Sequence, residues 1–404
     1  MKKLVALFLF LVICISGSYA ATKHVIISVT NNWNKEKANE PVVLNLKKLG
    51  AAFDVQSAVV KVDGKEIASQ LDDLDNDLIN DELAFVLNVP ANAKKNIDIT
   101  LYSEKSGKTY PQGVYADMMI RGSKGKNILI KSLTIPGTSN VYSQMMHHGP
   151  AFESELTAYR IYFDEKQTVD LYGKFHKGFE LKESQWYPSD SQLARGFGDD
   201  VLNVKGSCGL GTLKGWDGAN ATHIKPVDYL TETIVAYGPV RTVVDIIDTN
   251  WKYQGSLLNM RVRYILYSGH RDCQVQVSFK KPLGNEVFAT GVQKVGISQE
   301  FTDHKGLVAD WGNDWPVNDT VKYHKETVGL ATVIPAKIIK SEINDKYNYL
   351  YQISASGTQG FTYYISFTSM KETFGYKTPE AWFNYAKAWK EEVDHPVSVA
   401  CMSK

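Results

Sequence analysis

Residues 146–160, MHHGPAFESELTAYR, place two histidines, two glutamates, a tyrosine and an arginine within one short stretch. A Gly-Pro pair directly follows His147 and His148 and interrupts any regular element there. Histidine can serve as a general acid or base, because its ordinary pKa lies close to neutral pH. The alternative is a structural role, in which the histidine is buried in the core and its ring nitrogens are hydrogen-bonded there. The neighbouring Gly-Pro and carboxylates favour a catalytic role for at least one of the two.

The carboxylates and the Tyr-Arg pair of this stretch differ in the direction they face. Glu153, Glu155 and Tyr159 share one parity in an extended chain, whereas Arg160 faces the other way. We expect Glu155 to orient a histidine or to bind a metal with it. The two histidines and a carboxylate could together hold a divalent ion, although the sequence makes no cofactor certain.

Further candidate residues lie where a predicted strand meets a glycine-bearing turn, a common position for functional residues on a β scaffold. They are Lys174, Asp199, Trp216, Asp217 and Arg241. Lys174 and Arg241 could neutralise a substrate carboxylate, and Asp199 could orient a histidine or bind a metal. Trp216 and Asp217 could contact a sugar. The alternative is that Arg160 and Arg241 form ordinary ion pairs on strand faces. For Trp216 and Asp217, the alternative is a structural turn.

This set of residue types suits abstraction of the weakly acidic proton beside a carboxylate. A lysine or arginine neutralises the carboxylate as negative charge builds. A histidine or tyrosine removes the proton, and a second acid protonates the leaving oxygen. The result is β-elimination on a uronic acid. Paired carboxylates such as Glu153 and Glu155 suit glycoside hydrolysis instead, which needs carboxyl groups about 5 Å or about 6.5–9.5 Å apart.

The elements that position these residues are predicted to be strands. Residues 59–67 contain an Asp-Gly turn between two short strand patterns, which predicts a β-hairpin. Apolar residues alternate over 83–89 and over 97–101. Residues 21–105 are therefore predicted to form a small N-terminal antiparallel β-sandwich.

The longer part of the chain, residues 106–404, is predicted to form a large antiparallel sheet-on-sheet sandwich, because long strand patterns recur along it. One helix is predicted near its end. Thr378 is an N-cap residue and Pro379 occupies the first helical position. Aromatic and aliphatic residues then recur at helical spacing until His395-Pro396.

The first residues are predicted to be a signal peptide rather than part of the fold. Lys2 and Lys3 precede an apolar run that is too short to span a membrane, and a small-x-small cleavage site ends at Ala20. We expect export to a bacterial periplasm. The mature chain has 43 basic and 44 acidic residues, which excludes the basic excess of a nucleic-acid-binding protein. At most one disulfide is expected among Cys208, Cys273 and Cys401.

Several stretches together resemble a family of secreted bacterial proteins, the domain-of-unknown-function family 4861. They are QLDDLDNDLINDELAF, MHHGPAFESELTAYRIYFD, VDLYGK, FGDDVL, SCGLGTLKGWDG and YGPVR. The resemblance implies an oligosaccharide dehydratase of the kind that acts on ulvan fragments. Such an enzyme removes water from a uronic acid at the non-reducing end and leaves a 4,5-unsaturated uronic acid. The resemblance also implies action alongside glycoside hydrolases, which consume that product.

We therefore expect a periplasmic lyase whose partner is an oligosaccharide with a terminal uronic acid. His147 or His148 would abstract the C5 proton, and Tyr159 would act as the complementary acid or base. Arg160, Lys174 or Arg241 would neutralise the substrate carboxylate.

The expected fold class is all-β, a large mutarotase-like supersandwich with a smaller N-terminal β-sandwich and one C-terminal helix. Two other functions stay open. A glycoside hydrolase or epimerase on a mutarotase-like sandwich would use carboxylates as acid and base. A non-catalytic glycan-binding protein would explain the aromatic content of 11%.

Overall fold

A computed structural model describes residues 21–402, so the predicted signal peptide at 1–20 lies outside the described residues. Strands dominate this range and pair into six sheets, with every ladder antiparallel. Between residues 21 and 402, no helix has the length and apolar character needed to cross a membrane. Cys208, Cys273 and Cys401 are all free thiols.

The elements follow one another in chain order. The first strands are β1 (Thr22–Asn31), β2 (Lys37–Asn45), β3 (Ser57–Val62), β4 (Lys65–Ile67), β5 (Ser69–Asp72), β6 (Glu82–Val89) and β7 (Ala93–Tyr102). The next are β8 (Val114–Asp117), β9 (Met119–Arg121), β10 (Asn127–Leu129), β11 (Ser132–Pro136), β12 (Ala151–Ser154), β13 (Ala158–Ile161), β14 (Val169–Gly173), β15 (Asp199–Asp200), β16 (Lys214–Trp216) and β17 (Ala221–Thr222). The last are β18 (Tyr229–Tyr237), β19 (Arg241–Tyr253), β20 (Ser256–Tyr267), β21 (Cys273–Phe279), β22 (Val287–Gln293), β23 (Ile297–Thr302), β24 (Leu307–Asp314), β25 (Glu326–Val333), β26 (Ile339–Asn344), β27 (Asn348–Ser354), β28 (Gly360–Ser369) and β29 (Ser398–Cys401). The helices are α1 (Leu181–Ser184), α2 (Asp190–Ala194) and α3 (Pro379–Asp394), with 3₁₀ turns at Leu46–Leu49, Ser123–Gly125, Met146–His148 and Ala336–Ile338.

The N-terminal strands form a small sandwich of two sheets, ordered β29-β1-β7-β3-β4 and β2-β6-β5. Its core collects the inward-facing residues of the alternating patterns, among them Ile27, Phe85 and Ile99. The predicted hairpin is confirmed: β3 and β4 pair around Asp63 and Gly64, which have φ of 51° and 76°. A turn with two residues in the left-handed conformation matches the twist of the strands, and an Asp-Gly pair adopts this conformation readily.

The last strand, β29, returns to this small sandwich and pairs with β1. Both ends of the described chain therefore lie in the N-terminal unit. The sequence-based division at residue 105 assigned residues 398–401 to the large unit instead.

The large unit is a sandwich, as expected. One face is a nine-stranded sheet ordered β11-β18-β19-β20-β21-β28-β25-β24-β23. It packs against two five-stranded sheets, β15-β14-β13-β12-β8 and β17-β16-β22-β27-β26. One continuous apolar core joins all three sheets, and it includes Phe152, Leu171, Val262, Phe288 and Tyr363. The all-β antiparallel prediction is confirmed.

The predicted C-terminal helix is α3. The Thr378 hydroxyl accepts a hydrogen bond from the backbone N–H of Ala381, and Pro379 is the first helical residue. Trp382 and Trp389 pack on the outer face of the nine-stranded sheet, over β24 and β25. The short helices α1 and α2 were not predicted, because they are too short to show helical periodicity.

Arg241 joins the two sandwiches. Its Nε donates to Asp72 Oδ2 at 2.8 Å, and its Nη2 donates to Glu82 Oε2 at 2.8 Å. The side chain of Gln70 adds hydrogen bonds to the backbone of Val240 and Arg241. Only 1% of Arg241 is exposed. The guanidinium expected to bind a substrate carboxylate therefore binds carboxylates of the N-terminal sandwich.

Replacing Arg241 by alanine is expected to lower the free energy of unfolding by about 3–5 kcal/mol, because Asp72 would stay buried without its partner. Urea denaturation measures this loss. Lys95→Ala is the control, since its partner Asp63 is 67% exposed and the loss should stay below about 1 kcal/mol. Unchanged stability in Arg241→Ala together with weaker substrate binding would show that Arg241 is a substrate ligand instead.

Candidate active site

The candidate site lies on the outer face of the sheet β15-β14-β13-β12-β8. Its strands pair so that Arg160 lies opposite Ala151 on one side and Asp170 on the other, while Asp117 lies opposite Ala151. Side chains in one such row point to the same face of the sheet. Asp117, Arg160 and Asp170 therefore share the outer face. Tyr159 points the opposite way, into the core of the sandwich.

Two backbone segments with unusual conformations meet above this face. His147 and His148 have φ of 58° and 62°, and Gln185 and Trp186 have φ of 49° and 68°. Left-handed conformations are uncommon for residues other than glycine and cost free energy, so they persist where the surroundings hold them. The rings of His148 and Tyr187 lie 6.0 Å apart. Consecutive strained residues on both sides of one site mark it as a functional candidate.

His147 is enclosed and supports the site from behind. No part of it is exposed. Its Nε2 lies 3.0 Å from Asp117 Oδ1, and the other carboxylate oxygen of Asp117 accepts a hydrogen bond from the Tyr115 hydroxyl at 3.1 Å. The edge of Trp186 packs against the imidazole, with ring centroids 6.3 Å apart. The side chain therefore fixes the turn and does not face a substrate.

His148 is the accessible histidine of the pair. Its ring stacks on Tyr142, with centroids 3.6 Å apart, and its Nδ1 lies 2.8 Å from the Tyr142 carbonyl oxygen. A carbonyl oxygen only accepts hydrogen bonds, so Nδ1 carries the proton and Nε2 carries the lone pair. Among residues 21–402, nothing hydrogen-bonds to this Nε2.

The imidazole of His148 stays neutral at physiological pH. Burial lowers the pKa of His148 to about 4, and the positive charges of Arg160 and Arg121 act in the same direction. The hydrogen bond to Tyr142 opposes these effects only in part. His148 is therefore a neutral base whose proton-accepting nitrogen is unengaged.

Arg160 is the buried centre of the site and is 2% exposed. Its Nε and Nη2 donate to Asp170 Oδ2 at 3.0 and 2.6 Å, and Nη2 also lies 3.1 Å from Asp200 Oδ2. Its Nη1 donates to the Tyr187 hydroxyl at 2.8 Å. Tyr187 is 38% exposed, so it is the solvent-facing hydrogen-bond partner of this buried guanidinium.

Tyr187 is placed as an acid. Its oxygen accepts the hydrogen bond from Arg160, so its own proton is free to point towards a ligand. Burial raises the pKa of Tyr187 to about 12, although the charge of Arg160 opposes this shift. The hydroxyl is therefore protonated at neutral pH, and the guanidinium beside it would stabilise the phenolate left after proton transfer.

The two aspartates of FGDD differ in environment. Burial raises the pKa of Asp200 to about 7, with Arg160 opposing the shift and the charges of Asp170 and Asp199 adding to it. Asp199 is half-buried, its pKa is also raised by burial, and its Oδ1 accepts the backbone N–H of Asp200. Asp199 was expected to orient a histidine or bind a metal with it. In the structure it pairs with Gly173 at the edge of the sheet, and its carboxylate makes no hydrogen bond to a histidine among the described residues.

Lys174 and Tyr159, both expected in the site, are enclosed elsewhere. Lys174 is fully buried and donates to Glu153 Oε2 and Ser154 O at 2.6 Å each, and to the carbonyl of Gly178. These bonds use all three ammonium protons. Tyr159 is fully buried and its hydroxyl donates to the Arg271 carbonyl at 2.6 Å. Neither side chain is open to a substrate.

The other expected residues lie away from the histidines. Glu155 is in the turn after β12, where its carboxylate accepts the backbone N–H of Gly269 at 3.3 Å. Trp216 and Asp217 belong to the other five-stranded sheet and the turn beyond it. Asp217 accepts two backbone hydrogen bonds within this turn, at 2.8 and 2.7 Å. This geometry is that of a structural turn, which was the alternative to sugar contact for Trp216 and Asp217.

The two histidines do not form a joint set of metal ligands, because His147 faces Asp117 and His148 faces Tyr142. Within the described part of the chain, one group of three potential ligand residues has its ligand atoms within 4.8 Å of one another. It consists of Asp73, Asp75 and Asp81 in the acidic loop between β5 and β6.

Several residues of the site were missed from the sequence. They are Asp117, Arg121, Tyr142, Tyr162, Asp170, Trp186, Tyr187 and Asp200. The Trp-Tyr-Pro triplet at 186–188 was a usable signal, since two aromatic residues interrupt a polar stretch there. The others depend on strand register and on the turn conformation at residues 147–148.

Asp200→Asn is expected to change how stability depends on pH. The folded-state pKa of Asp200 is raised, so wild-type stability falls as pH rises from about 4 to about 7. Removing this titration should reduce that slope by up to about 1.4 kcal/mol per pH unit. Urea denaturation at successive pH values measures it, with Asp54→Asn as the exposed control. Equal slopes in wild type and Asp200→Asn would contradict the assignment.

Two solved structures similar to this chain are larger proteins. One is an α-mannosidase from Enterococcus faecalis V583, at 11% identity and a TM-score of 0.40, with 94% of this chain and 46% of that chain covered. The other is a protein in the glycosyl hydrolase family 38 from Enterococcus faecalis, at 11% identity and a TM-score of 0.41, with 94% and 47% covered. The chain spans about half the length of these proteins.

No curated protein matches the chain. The family model described as domain of unknown function (DUF4861) matches residues 29–399, which include the large sandwich, most of the small one, the helix α3 and the whole candidate site. The resemblance noted in the sequence motifs is thereby confirmed, and the chain belongs to the family DUF4861.

Proposed function

We propose that this protein is a carbohydrate-active lyase that removes water from a uronic acid at the non-reducing end of an oligosaccharide. The observation that carries the proposal is the pairing of His148 with Tyr187. A neutral imidazole with an unengaged Nε2 lies beside a tyrosine whose proton is free to be donated, with the two rings 6.0 Å apart. A base and an acid side by side are what β-elimination requires.

The proton and electron transfers balance with these two groups alone. His148 Nε2 takes the C5 proton, the C5–H electron pair forms the C4–C5 double bond, and the C4–O bond breaks. Tyr187 gives its proton to the departing oxygen, which leaves as water. The reaction ends with an imidazolium and a phenolate, and exchange of protons with solvent restores both groups.

The arginines take different roles in this proposal. Arg160 is bound to Asp170 and Asp200, so it acts through Tyr187 by stabilising the phenolate. Arg121 is exposed, and it is near enough to contribute to the lowered pKa of His148. We assign Arg121 to the substrate carboxylate, whose charge must be neutralised as the C5 proton leaves.

We further propose that the protein acts in the periplasm. The predicted signal peptide would deliver the enzyme to the periplasm, where oligosaccharides with a terminal uronic acid are its partners. Glycoside hydrolases that accept 4,5-unsaturated ends would consume the product. This chemistry needs no metal, and nucleic acid has no role in it.

Removing the base or the acid is expected to lower kcat/KM by about 10²–10⁴-fold, the usual contribution of a positioned acid or base. His148→Ala removes Nε2, and Tyr187→Phe keeps the ring but removes the proton. The assay follows ultraviolet absorbance of the new alkene, with mass spectrometry for loss of one water, on glucuronyl-, iduronyl- and galacturonyl-ended oligosaccharides. His24→Ala and Tyr229→Phe, both at exposed positions of other sheets, serve as matched controls.

Each other outcome of this assay selects a different function. Alkene formation with chain cleavage would mean a polysaccharide lyase. Hydrolysed sugar without an alkene would favour a hydrolase, and isomerised sugar would favour an epimerase. Binding without any product would favour a glycan-binding protein. Full activity in both His148→Ala and Tyr187→Phe would remove these residues from the mechanism.

The pH profile of kcat/KM should report the neutral state of His148. Activity requires the unprotonated imidazole, so it should fall only as pH drops through about 4. The tyrosine proton is retained up to about pH 12, so the profile should stay level through neutral and mildly alkaline pH. Tryptophan fluorescence in the same buffers shows where the fold is intact. An acid limb near the ordinary histidine pKa, with the fold intact, would contradict a neutral base.

A further inference from the structure

A large cleft lies between the two sandwiches, away from His148. We propose that it is a second carbohydrate-binding site, which takes a neutral oligosaccharide segment. The cleft has a volume of about 730 Å³, within the range of about 300–1,000 Å³ typical of small-molecule sites. His148 and Tyr187 are not among its lining residues. The proposal therefore stands independently of the dehydratase chemistry.

Three elements enclose the cleft. Its floor is the outer face of the nine-stranded sheet, where Gln274, Gln276 and Tyr364 project from β21 and β28. One wall is β2 of the N-terminal sandwich. The other wall is α3, through Tyr385 and Trp389. A site between rigid elements of two units is a frequent position for a ligand.

The floor offers an open chain of hydrogen bonds. Gln276 Nε2 donates to Gln274 Oε1 at 3.0 Å, and Gln274 Nε2 donates to the Tyr364 hydroxyl at 3.3 Å. Among the residues that the structure describes, the Gln276 amide oxygen accepts no hydrogen bond and the Tyr364 hydroxyl donates none. The chain thus ends in one free acceptor and one free donor. A sugar hydroxyl both accepts and donates, so it can pair with either end.

Trp389 adds an indole donor to the wall of the cleft. The residue is 5% exposed, and its Nε1 makes no hydrogen bond of normal geometry within residues 21–402, although the Asp272 carboxylate is close enough for this indole to help lower the Asp272 pKa. Buried donors are nearly always hydrogen-bonded, and an unpaired one costs free energy. A hydroxyl group bound in the cleft would compete with Asp272 for this donor. The half-buried rings of Tyr376 and Tyr385 add flat apolar surface of the kind on which sugar rings stack.

Most charges of the cleft are already paired within its walls. Arg263 is held by Asp245 at 2.7 Å, Arg271 by Glu372 at 2.8 Å and His270 by Asp272 at 2.9 Å. Two further pairs are Arg241 with Asp72 and Glu82, and Lys37 with Glu40. Lys177 and Glu392 also line the cleft and form no ion pair with any described residue, and their charges are opposite in sign. At every other cation of the cleft, an anionic ligand would have to displace a carboxylate. The paired charges therefore favour a neutral polyhydroxylated ligand, and they hold the walls in a preorganised arrangement.

The test measures binding of neutral trisaccharides by calorimetry and by tryptophan fluorescence. Cellotriose, xylotriose and maltotriose are the neutral probes, and trigalacturonate is the anionic one. The protein carries His148→Ala, so that catalysis cannot consume a probe. We expect at least one neutral probe to bind and to change the fluorescence. Trigalacturonate can also occupy the His148 site through its terminal uronic acid, so we expect its binding not to depend on the cleft.

Two variants locate this binding in the cleft. Gln276→Leu removes the free acceptor, and Trp389→Phe keeps an aromatic ring but removes the indole donor. Each should weaken binding by about tenfold, the cost of losing one hydrogen bond to a buried partner. Gln299→Leu is the matched control, since this glutamine is exposed on β23 of the same sheet. Thermal unfolding confirms that each variant is folded.

Three results would overturn the proposal. The first is no binding by any neutral probe. The second is a loss of trigalacturonate affinity in Gln276→Leu that exceeds the loss for every neutral probe. The third is binding that persists unchanged in both Gln276→Leu and Trp389→Phe. None of them bears on the assay for water loss, so this proposal and the dehydratase proposal fail separately.

Discussion

The buried guanidinium of Arg160 is the interaction on which the candidate site depends. A charge taken out of water is costly unless it is paired, and Asp170 supplies a close partner at 2.6 Å. The same charge draws in aromatic rings: Trp186 lies 4.5 Å and Tyr187 5.7 Å from the guanidinium carbon. Because one buried cation holds the sheet, the strained segment at 185–186 and the proposed acid, these parts are positioned together.

The same arrangement of paired buried charges recurs across the fold. Lys174 binds Glu153, Arg241 binds Asp72 and Glu82, and Arg263 binds Asp245. Each cation is largely enclosed and already matched by a carboxylate of the protein. This explains why cations that looked like substrate ligands in the sequence turn out to be structural. The exposed Arg121, which contributes to the lowered pKa of His148, is the cation that we propose for the substrate carboxylate.

Local patterns were sufficient for much of the fold. The Asp63-Gly64 turn and the capped start of α3 are short-range signals, and both elements form where the sequence indicates. Tyr159 and Arg160 do alternate as predicted. The prediction that Glu153 shares the face of Tyr159 was wrong, because the chain turns back between β12 and β13, and Glu153 pairs with Ala158 on the face of Arg160. The sequence could not decide which of Tyr159 and Arg160 faces the core, because every residue of β13 and of the neighbouring β14 is buried. The usual contrast between an apolar and a polar face is therefore missing.

The partners of the site needed information that no short stretch contains. Tyr187 reaches Arg160 across 27 positions, and Asp117 reaches His147 from a different strand. Such contacts follow from register and from the path of loops. The motif at 146–160 identified the right region. It could not distinguish the enclosed His147 from the accessible His148, because both have the same neighbours in sequence and differ only in where the turn directs them.

The backbone at His147 and His148 argues that their side chains are needed. Glycine would adopt φ near 60° at no steric cost, whereas two consecutive histidines there are strained. The fold offsets this strain through contacts that only these side chains make: the Asp117 carboxylate faces His147, and the Tyr142 ring and carbonyl hold His148. Glycine would relax the turn but leave Asp117 buried without its partner and the site without a base. The strained turn is therefore best understood as the cost of presenting one imidazole nitrogen beside Tyr187.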